Sequence, residues 1–191
     1  MLDIEADFWR IVEENYQRVE VQYGADLYTS ETGSGFPMND GTEYASSRWN
    51  LNNIAHCDGQ FPSLLRHVSC PMDTCPYPIC PHVNIPGVMV PWLYVGMLFS
   101  SFCWHVEDHL FYSVNYCHWG EAKTWYAVPA RGAEGFEACF KSVMPELFAA
   151  QPDLLLQLVT MLNPRTLQAH GVPVYRGIQV RAFAATRFPY R

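Results

Sequence analysis

The sequence predicts a mainly antiparallel β domain with helices packed outside it. Runs rich in β-branched, aromatic and apolar residues fall at 88–102, 111–128 and 172–190, on both sides of a helix-patterned stretch. With 49% hydrophobic and 15% aromatic residues among 191, the chain can bury a substantial core as one domain or a little more.

In chain order, residues 4–17 show helical periodicity, with Ile4, Phe8, Ile11 and Val12 on one side and charges on the other. Val19 to Tyr23 alternates and predicts a short strand, and Gly24 to Gly41 predicts an irregular loop marked by Gly33-Ser34-Gly35-Phe36-Pro37. Trp49 to Ile54 predicts another short structured piece. From 56 to 87 the composition shifts. Prolines at 62, 71, 76, 78, 81 and 86 forbid a regular helix or central strand, so this is expected to be an inserted loop. Strands are expected at 88–102 and 111–128, helices at 134–143 and about 154–162 with Pro145 and Pro152 as punctuation, and strand again at 172–190. Three segments follow: an N-terminal part, 1–55; the Cys/Pro-rich insert, 56–87; and a β core, 88–191.

The formal charge of −7 argues against nucleic-acid binding by bulk electrostatics. An acidic surface suits a basic partner such as a Lys/Arg-rich peptide, although solubility alone explains it. No apolar run approaches the roughly 20 residues of a membrane span, and the acidic Met1-Leu2-Asp3-Ile4-Glu5 start has no signal-peptide shape. Seven cysteines with no secretory context predict reduced thiols in the cytosol or nucleus. Cys103, Cys117 and Cys139 are expected to be small buried hydrophobes. In the insert, Cys57, Cys70, Cys75, Cys80 and His82 lack the paired spacing of structural zinc sites, so a loop is the expected reading.

Phe102-Cys103-Trp104-His105-Val106-Glu107-Asp108-His109 carries the chemistry. On a strand His105 and Glu107, spaced i, i+2, point to one face, while Trp104 and Val106 face the other way. A helix would hold the pair roughly 200° apart, so a strand is expected. An isolated His-x-Glu is usually solvent-facing, but here the flanks are apolar, and burying these groups unpartnered would be costly. One imidazole plus one carboxylate opens a 2-His-1-carboxylate iron site. His105 and His109 at i, i+4 resemble a zinc-protease pair, but that motif needs Glu directly after the first His. Lys123, among aromatics in Gly120-Glu121-Ala122-Lys123-Thr124-Trp125-Tyr126, can anchor a carboxylate, and Ser113 and Asn115 can add neutral hydrogen bonds.

These residues resemble a family. Trp92-Leu93-Tyr94-Val95-Gly96 through His109, then Ser113-Val114-Asn115-Tyr116, His118-Trp119-Gly120-Glu121, Lys123-Thr124-Trp125-Tyr126 and Val128-Pro129, look like the Jumonji C (JmjC) catalytic domain. Within it the chain is similar to the lysine demethylase 5 subfamily, with Val21-Gln22-Tyr23-Gly24-Ala25-Asp26-Leu27, Trp49-Asn50-Leu51-Asn52, Leu162-Asn163-Pro164 and His170-Gly171-Val172-Pro173-Val174-Tyr175-Arg176 in agreement.

The resemblance implies a double-stranded β-helix (cupin-like jelly roll) and a nuclear Fe(II)/2-oxoglutarate dioxygenase acting on histone H3 methylated at lysine 4. Oxidation with O₂ would hydroxylate an N-methyl group that leaves as formaldehyde. It implies His105 and Glu107 as iron ligands. Lys123 would pair with the distal carboxylate of 2-oxoglutarate, helped by Tyr23, Ser113 and Asn115, with Phe102 and Trp125 packing on it. Tyr94 would line the methyl-lysine pocket. The family's third iron ligand is a His just beyond a Phe-Pro-x-x-Tyr-type segment, and Phe188-Pro189-Tyr190-Arg191 reaches that neighbourhood; His170 is not at the family's ligand position. The expectation is therefore a JmjC core cut before its last strands, a fragment or truncated product with weak or no activity. The alternative is an inactive scaffold in a chromatin complex.

Overall fold

The structure is a computed structural model. It describes residues 2–14, 18–38, 40–59, 62–67, 85–151, 154, 157, 159–182 and 184–187. The chain divides into two compact units, Val21–Ser100 and the combination of Met1–Glu20 with Ser101–Arg191.

The first unit is organised by one antiparallel ladder. Strand β1 (Tyr23–Tyr28) pairs with β2 (Trp92–Gly96) in the register Tyr23↔Gly96 and Tyr28↔Trp92. The sequence placed the first strand at 19–23 and a loop after it. The structure moves the strand C-terminally, because the residues that pair are decided by a partner some 70 positions away rather than by local alternation. A bulge between Gly24 and Leu27 absorbs Asp26, whose φ is +53°. Helical turn α2 (Thr29–Thr32) interrupts the expected loop, and α3 (Glu43–Ser46) follows it. The Thr29 hydroxyl donates to the Pro91 carbonyl at 2.6 Å and closes the end of the ladder.

Asn50, 3% exposed, donates from Nδ2 to the carbonyls of Pro37 and Tyr44 and so knots the following turn. Short 3-10 turns follow at Ile54–His56 and Leu64–His67, inside the expected insert. Cys70, Cys75, Cys80 and His82 lie outside the described residues. Of the expected 88–102 strand only Trp92–Gly96 pairs, and residues 97–100 turn away.

The second unit begins with α1 (Leu2–Glu14), as its periodicity predicts. Its buried face is shifted from the expected one: Phe8, Ile11 and Val12 are half-buried, but Trp9 is 8% exposed while Ile4 is 47% exposed. The rotation follows from polar partners: Trp9 Nε1 donates to the Tyr126 hydroxyl at 2.9 Å, and Tyr126 in turn donates to Glu5. Arg176 grips the same carboxylate through Nε at 2.8 Å and Nη2 at 2.6 Å, a bidentate pair. Arg176 holds the Glu5 carboxyl below the usual carboxylate range. Burial first, and then the bond to Glu5, push the Tyr126 phenol up to about 12.

Four strands form two separate antiparallel ladders. β3 (Ser113–Tyr116) pairs with β6 (Ala184–Arg187), and β4 (Lys123–Ala127) pairs with β5 (Tyr175–Gln179), Lys123 opposite Gln179 and Trp125 opposite Gly177. Between them run α4 (Ala133–Val143), α5 (Pro145–Ala150) and α6 (Pro164–Ala169). Pro145 opens α5 at its first turn instead of merely ending α4, the position where a missing N–H costs nothing. Of the helix expected at 154–162, residues 159–162 are irregular, and helix begins two residues later. There Asn163 accepts from the Arg165 N–H and Pro164 occupies the first turn, a stronger start signal than apolar spacing. Gly171, with φ +77°, follows the helix end in the left-handed region.

The core gathers Cys139, Phe140, Phe148, Leu154, Leu162, Leu167 and Val172, with Trp104, Phe136 and Val174 packed against it. Cys139 is buried as expected, but Cys103 and Cys117 are only half-buried.

Candidate metal and cosubstrate site

His105 and Glu107 lie in an irregular segment, 101–107, that bends at Trp104 and joins no ladder, where the sequence predicted a strand. No ladder partner reaches this segment among the described residues. It is anchored instead by Trp104, whose backbone N–H donates to the Thr160 carbonyl at 3.2 Å and whose Nε1 donates to the Leu162 carbonyl at 2.9 Å. With Trp104 turned into the core against Phe136 (centroids 5.4 Å apart), the residue on either side of Val106 points the other way. The side chains of His105 and Glu107 nevertheless meet, although no strand carries them.

Nε2 of His105 stands 3.7 Å from Oε1 of Glu107, both side chains mostly buried. Nδ1 lies 2.8 Å from the Cys103 carbonyl oxygen. A carbonyl can only accept, so Nδ1 carries a proton, which directs Nε2 toward the carboxylate and leaves it to coordinate whenever it is unprotonated. Two acceptors at that separation attract only through a cation or a proton between them. The N/O donor set and the anchored tautomer fit a divalent transition metal. Among the described residues no group of three His, Cys, Asp or Glu forms around an ion position. His109 does not join the pair on a helix: it is exposed, with φ +52°, inside the 3-10 turn Asp108–Leu110.

Beside the pair stands Lys123, flanked by aromatic rings. The Phe102 ring meets His105 edge-on at 5.6 Å and Trp125 at 5.1 Å. Lys123 Nζ stands 5.8 Å from the Phe102 centroid and 5.6 Å from that of Trp125, within cation–π range. Its one hydrogen bond to a described side chain, to Asn115 Oδ1, is long at 3.4 Å. No carboxylate pairs with Lys123 among the described residues. Burial pushes its ammonium pKa below the ordinary lysine value, opposed by Cys117. Ser113 is half-buried on the same strand as Asn115, two residues before it and so on the same face.

Tyr23 and Tyr94 belong to the other unit. They lie on paired strands with rings 6.3 Å apart, and the Tyr94 hydroxyl donates to Asp26. Burial raises the Tyr23 phenol pKa, with the Asp26 charge adding to it.

One residue escaped the sequence reading. Gln179, 5% exposed, accepts from Trp125 Nε1 and donates to the Asn115 carbonyl. Its only local signal is a polar side chain between Ile178 and Val180 in an apolar run.

The His105/Glu107 couple and the aromatic-flanked Lys123 supply donors suited to a metal ion and a carboxylate, on an antiparallel β scaffold. Residues 92–181 match the family model for the JmjC domain, hydroxylase. The chain is 49% identical over 194 residues to lysine-specific demethylase 5B of Gallus gallus and 47% identical to lysine-specific demethylase 5D of Homo sapiens. Both alignments take in 97% of this chain but only 12% of the relative, so the chain spans about an eighth of their length.

Proposed function

We propose that the chain is the catalytic segment of an Fe(II)/2-oxoglutarate-dependent histone demethylase acting in the nucleus on histone H3 methylated at lysine 4. The observation that carries this is the pairing of a metal-suited His105/Glu107 couple with Lys123, a buried ammonium that has no carboxylate partner among the described residues. A dicarboxylate can reach both, one end at the metal and the other at Lys123, through a charge-assisted bond strengthened by the low-dielectric aromatic walls. Asn115 and Ser113 supply the neutral hydrogen bonds, Phe102 and Trp125 pack beside the ammonium, and His105 holds its coordinating nitrogen by way of Cys103. Tyr23 is assigned to the cosubstrate and Tyr94 to the methyl-lysine pocket by the family resemblance. Iron, O₂ and the cosubstrate together supply the oxidation of an N-methyl group to one that leaves as formaldehyde. The net charge of −7 complements a basic histone tail and chromatin-bound partners of like chemistry. In this reading residues 88–191 hold the core, 56–87 an insert, and 1–55 an N-terminal part.

A second reading, a JmjC module that binds without turnover, is favoured by the absence of a third ligand around the pair among the described residues. Two protein ligands leave an ion with too many open positions to fix its geometry. The discriminating experiment incubates the chain with a trimethyl-lysine-4 H3 peptide, Fe(II), ascorbate and 2-oxoglutarate. Formaldehyde release that disappears in His105→Ala supports the enzyme. Peptide or cosubstrate binding with no formaldehyde supports the module.

A further inference from the structure

Gln179 joins two ladders that share no strand. It sits on β5 opposite Lys123 of β4, whereas Asn115 sits on β3, whose partner is β6. No ladder bond joins β3 to β4 or β5 among the described residues. The carboxamide spans that gap: Oε1 accepts the Trp125 indole N–H at 2.8 Å, and Nε2 donates to the Asn115 backbone carbonyl at 2.9 Å. The two bonds determine the amide's orientation, since an indole N–H can only donate and a carbonyl can only accept. At 5% exposure, neither bond competes with bulk water.

Both ends of this tie belong to the wall around Lys123. Trp125 packs on Phe102 and lies 5.6 Å from the ammonium, and the side chain of Asn115 takes the ammonium's hydrogen bond at 3.4 Å. A change in the spacing of β3 from β4 therefore moves the aromatic wall and the amide acceptor apart, with Lys123 between them. We infer that Gln179 is a positioning residue for the carboxylate end of the cosubstrate, fixing where the Lys123 ammonium is presented by holding Trp125 and the Asn115 main chain together. The inference rests on the dicarboxylate reading above.

The test uses the full chain loaded with Mn(II), with 2-oxoglutarate affinity read by calorimetry and Mn(II) affinity read separately by its paramagnetic signal. Gln179→Met keeps the volume and removes both bonds, while Gln179→Glu keeps the acceptor for Trp125 and sets a carboxylate against the Asn115 carbonyl. Each variant is expected to weaken 2-oxoglutarate binding about tenfold, with Mn(II) affinity unchanged within about twofold. In turnover the KM for 2-oxoglutarate rises while kcat at saturation holds. If wild-type chain fails to bind 2-oxoglutarate, the cosubstrate reading itself fails. If wild type binds and Gln179→Met binds as well, the positioning role is overturned. It is equally overturned if both variants lose their cooperative thermal transition, or lose Mn(II) and 2-oxoglutarate affinity together, because Gln179 is then a general structural support.

Discussion

His105 presents Nε2 to Oε1 of Glu107 at 3.7 Å because its other ring nitrogen is committed to the Cys103 carbonyl at 2.8 Å. The backbone two residues upstream thus selects the tautomer that leaves a coordinating lone pair beside a carboxylate.

The first prediction concerns that pair. His105→Ala and Glu107→Ala each remove one of two donors, so apparent Mn(II) or Fe(II) affinity should fall by at least the 10–100-fold (about) seen when supporting partners of ligands are lost. Metal titration against the wild-type chain checks this. An unchanged affinity in either variant would place the metal elsewhere.

Lys123 should show function opposed to stability. Burial lowers its pKa, so the folded state binds its proton less well than the unfolded chain, and this group's contribution to stability rises with pH on approach to the ordinary lysine value. Lys123→Met deletes a desolvated charge and is expected to leave Tm unchanged or raise it by about 2–4 °C. The same variant should lose about 10–100-fold in 2-oxoglutarate affinity, the worth of a charge-assisted bond. Calorimetric binding and thermal melts of one protein preparation measure both.

Glu5 ties α1 to β4 and β5 through Tyr126 and Arg176. Its folded pKa lies below the reference 4.5, so its contribution to stability is present above that value and is lost as pH falls through the folded pKa. Glu5→Gln should be less stable than wild type by roughly 1 kcal/mol near neutrality. The difference should shrink as pH falls from 4.5 through the folded pKa of Glu5, below which neither side chain is charged. A gap in Tm that persists in acid would show that packing, not charge, holds the helix.

Phe140 is fully buried at the centre of the helical core. Phe140→Ala should cost about 3–5 kcal/mol, whereas the exposed Trp49→Ala should fall within about 0.5 kcal/mol of wild type. Urea unfolding of the two variants separates these values.

Much of the site could be read from local pattern. The spacing of His105 and Glu107, the same-face placement of Ser113 and Asn115, and the aromatic setting of Lys123 all depend on chain geometry within a few residues. Helices α1 and α4 were legible for the same reason. The strand at 19–23 was misplaced, and of the helix expected at 154–162, where 155, 156 and 158 lie outside the described residues, residues 159–162 are irregular. In the first case a distant partner chose the pairing residues, and in the second the Asn163-Pro164 cap outweighed apolar spacing.

By itself, then, the sequence determined the chemical inventory: which side chains can ligate a metal, which can meet a carboxylate, and which short segments favour strand or helix. Only the tertiary structure decided that Trp9 and not Ile4 faces inward, that the His105 segment is held by Trp104 rather than by a ladder, and that Gln179 links β3 to β4. The physical reason is the range of the bonds involved. Trp9 reaches Tyr126 across 117 residues, Trp104 reaches Leu162 across 58, and Gln179 reaches Asn115 across 64. A hydrogen bond of that span leaves no periodicity in the sequence around either partner, because it depends on where the folded backbone brings two polar groups within about 3 Å.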